Sequence, residues 1–122
     1  MTRGNGEPPI GAVDLEAIAS RLTEPWRPLD VVSVNEAVVR MVRLEGTFPW
    51  HHHEAQDELF LCWRGRFRIE IEGQDPIELS SGQLALVRRG VRHRPVAVHG
   101  PARALLIERA ETLQYGDERG SR

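Results

Sequence analysis

A chain of 122 residues with 16 Lys+Arg against 18 Asp+Glu and a net charge of -2 has room for one domain around one buried core. Its near-balanced charge makes no electrostatic case for nucleic acid or an anionic membrane as partner, and its single cysteine, Cys62, excludes an internal disulfide framework. With no run near the ~20 apolar residues of a membrane span and no signal-like start, the expectation is a soluble, cytoplasmic protein.

Residues 1–11 are rich in Gly and Pro among polar residues, a composition that buries little and is expected to be flexible. From Asp14 the pattern changes. Leu15, Ile18, Ala19 and Leu22 share one helical face, Asp14 is placed as N-cap and Pro25 ends the helix. This short helix is expected to pack its apolar face on the rest of the domain.

After Pro28 short apolar or alternating runs are separated by turn residues: Val31–Val34, Ala37–Leu44, Phe48–His53, Leu59–Trp63, Phe67–Ile71, Ile77–Leu79, Leu84–Val87, Val91–Val98 and Ala102–Glu108. Such spacing predicts an all-β antiparallel sandwich or barrel. Arg66–Glu72 alternates cleanly, with Phe67, Ile69 and Ile71 on a dry face. Leu59–Trp63 is apolar on both faces, so its outer face, Leu59, Leu61 and Trp63, needs a cover: the N-terminal helix or a second subunit. The domain is therefore drawn over residues 12–110, and residues 111–122 as a polar tail whose end frays.

Chemistry concentrates at Trp50–Phe60. In a strand, residues two apart point the same way, so His51 and His53 project together while His52 faces outward. Glu58 lies five residues past His53, an odd offset that would turn it away on an unbroken strand. The polar stretch 54–57 must therefore turn the chain, so that Glu58 opens the next strand and points back inward. His93 stands about forty residues further on, in a run that an antiparallel barrel can place alongside. Three imidazoles and one carboxylate suit one divalent transition metal, Fe, Mn, Ni, Co, Cu or Zn, and not Ca or Mg, which prefer oxygen alone. Phe60 and Cys62 share the Glu58 face and are candidates for a substrate pocket. Arg40 and Arg43 lie on opposite faces of one apolar strand, so one of them is directed into the barrel. The cluster Arg88, Arg89, Arg92 and Arg94 is read as a solvated surface rather than an anion site, since Arg92 and Arg94 point out if His93 points in.

Gly46, His51-x-His53, four residues, Glu58, six residues, Gly65 resembles the first motif of the cupins, and Gly82 through Arg89-Gly90 to His93 resembles the second. The flanking Phe48-Pro49-Trp50 and Arg94-Pro95-Val96 are similar to the small single-domain cupins labelled mannose-6-phosphate isomerase-like. The resemblance implies a cupin double-stranded β-helix, a jelly-roll-like barrel with one short N-terminal helix, commonly a homodimer, with a metal on His51, His53, Glu58 and His93. It implies no particular reaction, because this barrel hosts many. Two functions follow as expectations: a metal-dependent enzyme of dioxygenase or isomerase type acting on a small organic molecule, or a non-catalytic module binding a small ligand or a metal.

Overall fold

The structure, a computed structural model, describes residues 11–117; the expectations for residues 1–10 and for 118–122 lie outside them. Its one helix, α1 (Leu15–Ala19), opens at Asp14, whose carboxylate accepts the Glu16 N–H at 3.0 Å. Seven strands follow: β1 (Leu29–Val34), β2 (Ala37–Thr47), β3 (Glu58–Arg64), β4 (Arg66–Ile71), β5 (Gln74–Ser80), β6 (Leu84–Val87) and β7 (His93–Arg109). All pairings are antiparallel, in the order β1-β2-β7-β3-β6, with β4 joined to β5 and to the first part of β7. This is the expected all-β cupin barrel with one short helix.

Three of the expected strands come out differently. Val91–Val98 and Ala102–Glu108 are one strand, β7, rather than two strands around a turn. Its register against β2 jumps from Ala97↔Gly46 to Ala102↔Leu44, so residues 98–101 swell out against Glu45 alone. The bulge bends β7, letting its first part pair with β4 and its second with β3. Phe48–His53 is not a strand: only His51 bridges to His93, through His51 N–H to His93 O at 3.0 Å and the reverse bond at 2.9 Å. Pro49 has no N–H to offer a ladder, so the pairing stops there.

The inner face carries Val42, Leu44, Phe60, Cys62, Phe67, Ile69, Val87, Ala104 and Leu106 in one buried cluster. The outer face of β2, β3 and β7 is covered by the helix, where Ala19 and Leu22 pack with Met41 and Leu105, flanked by Leu61 and Trp63. The helix thus supplies a cover for the outer apolar face of β3. Between β3 and β4 the chain turns at Gly65, with φ +82, where a Cβ would stand 3.1 Å from Ala102 Cα. Only glycine lets the turn sit so close to β7.

Candidate metal centre

Four side chains meet at the inner end of the barrel. His51 and His53 come from the irregular segment after β2, Glu58 is the first residue of β3, and His93 is the first of β7. The loop at 54–57 does what the odd spacing requires: it reverses the chain and leaves Glu58 facing the histidines. The prospective ligand atoms of His51, His53, Glu58 and His93 all lie within 4.8 Å of one another, and none of the four residues is more than 5 % exposed. Ligands bound at about 2.0–2.2 Å stand roughly 3 Å apart when adjacent and roughly 4 Å when opposite, so the cluster suits one shared ion.

The hydrogen bonds around the rings point the same way. His51 Nδ1 lies 3.0 Å from Pro49 O and His93 Nδ1 lies 2.9 Å from Val91 O. A carbonyl only accepts, so both Nδ1 atoms carry the proton and both Nε2 atoms, in the neutral rings, present a lone pair. His93 Nε2 then faces Glu58 Oε1 at 3.2 Å, lone pair against carboxylate oxygen, an arrangement that needs a cation between them. His53 is buried with neither ring nitrogen hydrogen-bonded, although its Nε2 lies 3.4 Å from Glu58 Oε1. An imidazole left so is costly, and a bond to an ion supplies what it lacks. The donor set fits a divalent transition metal.

Electrostatics keep this set in its binding form. Burial, together with the neighbouring His93, holds His51 down to about 4, so it is neutral at pH 7. Burial pushes the Glu58 carboxyl up, but the adjoining His53 and His93 rings and the Glu108 carboxyl outweigh it and leave Glu58 below the usual carboxylate range.

A cavity of about 310 Å³ opens from the cluster, with His51 and Glu58 in its wall beside Val42, Leu44, Phe48 and Phe60. Phe60 lines it. Cys62 lies deeper in the apolar core, fully buried, with its Sγ 3.3 Å from Gly65 O; its thiol is pushed up by burial. Of the two strand arginines, Arg40 takes the cavity side and meets Glu108 Oε2 at 2.6 Å, while Arg43 pairs with Glu45 at 3.1 Å. His52 faces away, 3.3 Å from Glu54. Arg92 and Arg94 also point out, over the Trp50 ring at 5.5 and 4.4 Å.

Sequence reasoning passed over two parts of this site. Glu108 closes the inward series Ala102, Ala104, Leu106 on β7 and shares a hydrogen bond with the Glu58 carboxyl. Its Oε1 meets no donor, so one of the two carboxyls must carry the proton. Burial and the Glu58 charge push Glu108 up to about 9, which assigns that proton to Glu108. Its signal was present: a carboxylate at an inward position of an apolar alternation. The second part is the C-terminal segment. Thr112, Leu113 and Gln114 line the cavity, Tyr115 stacks on Phe48 with centroids 4.8 Å apart, and Asp117 N–H donates to His52 O at 2.9 Å. Nothing in its polar composition distinguished it from a free tail.

Comparison with known proteins agrees with this fold. A family model described as cupin domain matches residues 37–108. An uncharacterized protein YdbB of Bacillus subtilis (strain 168) is 31% identical over 81 residues, 66% of this chain and 72% of that protein. A cupin-2 domain containing protein from Shewanella frigidimarina superposes with TM-score 0.76 at 28% identity, over 80% of this chain and 93% of that one. Hydroquinone 1,2-dioxygenase PnpCD, solved with Fe3+, shares the fold at TM-score 0.73 and 16% identity, over 90% of this chain and 36% of that one.

Proposed function

We propose that this chain, which belongs to the cupin family, holds one divalent transition metal ion on His51, His53, Glu58 and His93 and acts through it on a small organic molecule in the adjoining cavity. The observation that carries this reading is the buried cluster whose ligand atoms lie within 4.8 Å, with the His53 ring unpaired until an ion is added. When bound, such an ion supplies a Lewis acid or a one-electron centre at the cavity wall, the basis of isomerase-type or dioxygenase-type chemistry. The chain's own residues orient the ligands: the carbonyls of Pro49 and Val91 fix the His51 and His93 tautomers. Phe48 and Phe60 pack edge-on against His51 and His93 and keep that side of the cluster dry.

Elemental analysis of untagged protein tests the metal. Near-stoichiometric metal that falls to background in His51→Ala and His93→Ala is expected; trace metal unchanged by either substitution would sink the reading. A second reading, a non-catalytic ligand-binding module, is favoured by one observation. Outside the ligand set the titratable side chains of the cavity wall are Arg40 and the protonated Glu108, which contact each other, so no free base faces a substrate. Oxygen uptake by Fe(II)-loaded protein across phenols, 1,3-diketones and thiols separates the two, with uniform inactivity counting for the module. A homodimer belongs to either reading, supported by exposed Leu84 and Leu86 on the edge strand β6; sedimentation at rising concentration tests it. No helix among the described residues is long and apolar enough to cross a membrane.

A further inference from the structure

The cavity wall is mostly apolar. Away from the histidine cluster it is formed by Trp26, Val42, Leu44, Phe48, Phe60 and Leu106, with Glu108, Thr112 and Gln114 as its uncharged polar part and Arg40 as its one cation. Four of the five N–H groups of that guanidinium are already used: Nε donates to Asp30 at 2.9 Å, Nη1 to Glu108 at 2.6 Å and to Thr112 O at 3.3 Å, and Nη2 to Ala110 O at 2.8 Å. The other arginines near the site are engaged outside it. Arg88 and Arg89 meet Asp57 at 3.5 and 3.4 Å, Arg92 meets Glu72 at 3.5 Å and Arg94 meets Glu70 at 2.8 Å. None of the four lines the cavity.

A charge carried into this space anywhere but at the metal cluster would lose its hydration and gain no partner. An anion would in addition stand near the Glu58 carboxylate. The volume, about 310 Å³, is at the small end for ligand sites, which suits a single-ring molecule.

We propose that the ligand of this cavity is a single-ring-sized molecule whose only ionisable group is the one that reaches the His51–His53–Glu58–His93 cluster, the remainder being uncharged and mostly apolar. Sugar phosphates and molecules with a carboxylate remote from the metal-binding group are excluded. The proposal rests on the metal reading above for the polar end of the ligand, and on the wall alone for the rest.

The test compares two ligands with one head and different tails, 4-methylcatechol and 3,4-dihydroxybenzoate, on zinc-loaded full-length protein at pH 7. Binding is read by tryptophan fluorescence, since Trp26 lines the cavity, and by calorimetry. At least tenfold tighter binding of 4-methylcatechol is expected. Leu113→Arg, at a wall position that is 40% exposed and so tolerant of substitution, adds a cation and should narrow that ratio. Equal affinity in the native protein, a preference for the acid, or no binding of either ligand overturns the proposal. If elemental analysis shows no zinc taken up, the metal reading falls by itself. The wall is then judged by the same tenfold ratio on metal-free protein, with p-cresol against 4-hydroxybenzoate.

Discussion

Glu58 and His93 stand on paired strands, whereas His51 and His53 stand on a segment with one β-bridge, His51 to His93, and single backbone bonds from Phe48 N–H to Pro95 O and from Gly90 N–H to His53 O. The strand-borne half is fixed by its own ladders: Glu58 opposite Val87 on β6, His93 opposite Ile71 on β4. The loop-borne half, interrupted by Pro49, takes its shape from elsewhere. Residues 115–117 lie against it, with Tyr115 on Phe48, Gly116 on His52 and Asp117 bonded to both His52 and Glu54. The lesson is that strand ligands belong to the fold, while loop ligands are positioned by a distant piece of chain. Substitutions should therefore separate folding from metal affinity on the loop side and not on the strand side.

The largest effect is expected at the strand-borne half. Glu58→Gln removes the one anionic ligand and the carboxylate that faces both the His93 ring and Glu108. Loss of a supporting outer contact in a metal site typically costs ~10–100-fold in affinity, so loss of this ligand should exceed about 100-fold, by competition with a fluorescent chelator. Because Glu58 is also buried and bonded within the barrel, the melting temperature of the metal-free protein should move too.

Acid should act next, on the loop-borne half. The folded value of His51 is about 4 against an ordinary 6.5. Between those two pH values the unfolded chain binds a proton that the folded chain refuses, so stability is untouched above pH 6.5 and falls as pH drops toward 4. The loss is about 3 kcal/mol once pH is below 4, measurable by urea unfolding of metal-free protein at pH 7 and pH 4.5. His51→Gln should flatten that dependence; an unchanged slope would mean that another group carries it.

Gly116→Ala tests the outside support directly. Gly116 has φ +77, and a Cβ there would stand 2.4 Å from His52 O and 3.0 Å from His51 Cβ, against backbone that cannot swing aside. The loop must shift, and metal affinity should fall ~10–100-fold, while β-sheet content by circular dichroism stays unchanged. Affinity equal to that of the native protein would show that the loop holds itself.

How far the sequence foretold this division follows from the same physics. Period-2 alternation placed His51 with His53, set His52 apart and sent Arg92 and Arg94 outward, and the odd offset of Glu58 required the turn at 54–57. Those are local rules, and the local geometry obeys them. Residues 98–101 were misread because a glycine and a proline mark a tight turn and a bulge within one strand alike; only pairing with β2 and β4 decides between them. The histidine segment was misread as a strand because alternation has the same period in any extended backbone, paired or not. Residues 112–117 were illegible for another reason: their contacts to Trp26, Phe48 and His52 are long-range and leave no periodic trace.

The smallest expected effect is the most selective. Asp117 is exposed, yet its carboxylate accepts the Glu54 N–H at 2.7 Å while its own N–H reaches His52 O at 2.9 Å. Asp117→Ala removes only the first of these, a charge-assisted bond at the surface, of the order of 1 kcal/mol. Global stability should change by less than that, because Glu54 lies in the loop and not in a ladder. Metal affinity should fall a few-fold, since Glu54 directly follows His53 and its N–H tethers that end of the loop. Asp117→Asn, which keeps an accepting oxygen, should restore most of the affinity. If Asn and Ala behaved alike, the backbone bond to His52 would carry the support alone, and the segment would act on His51 rather than on His53.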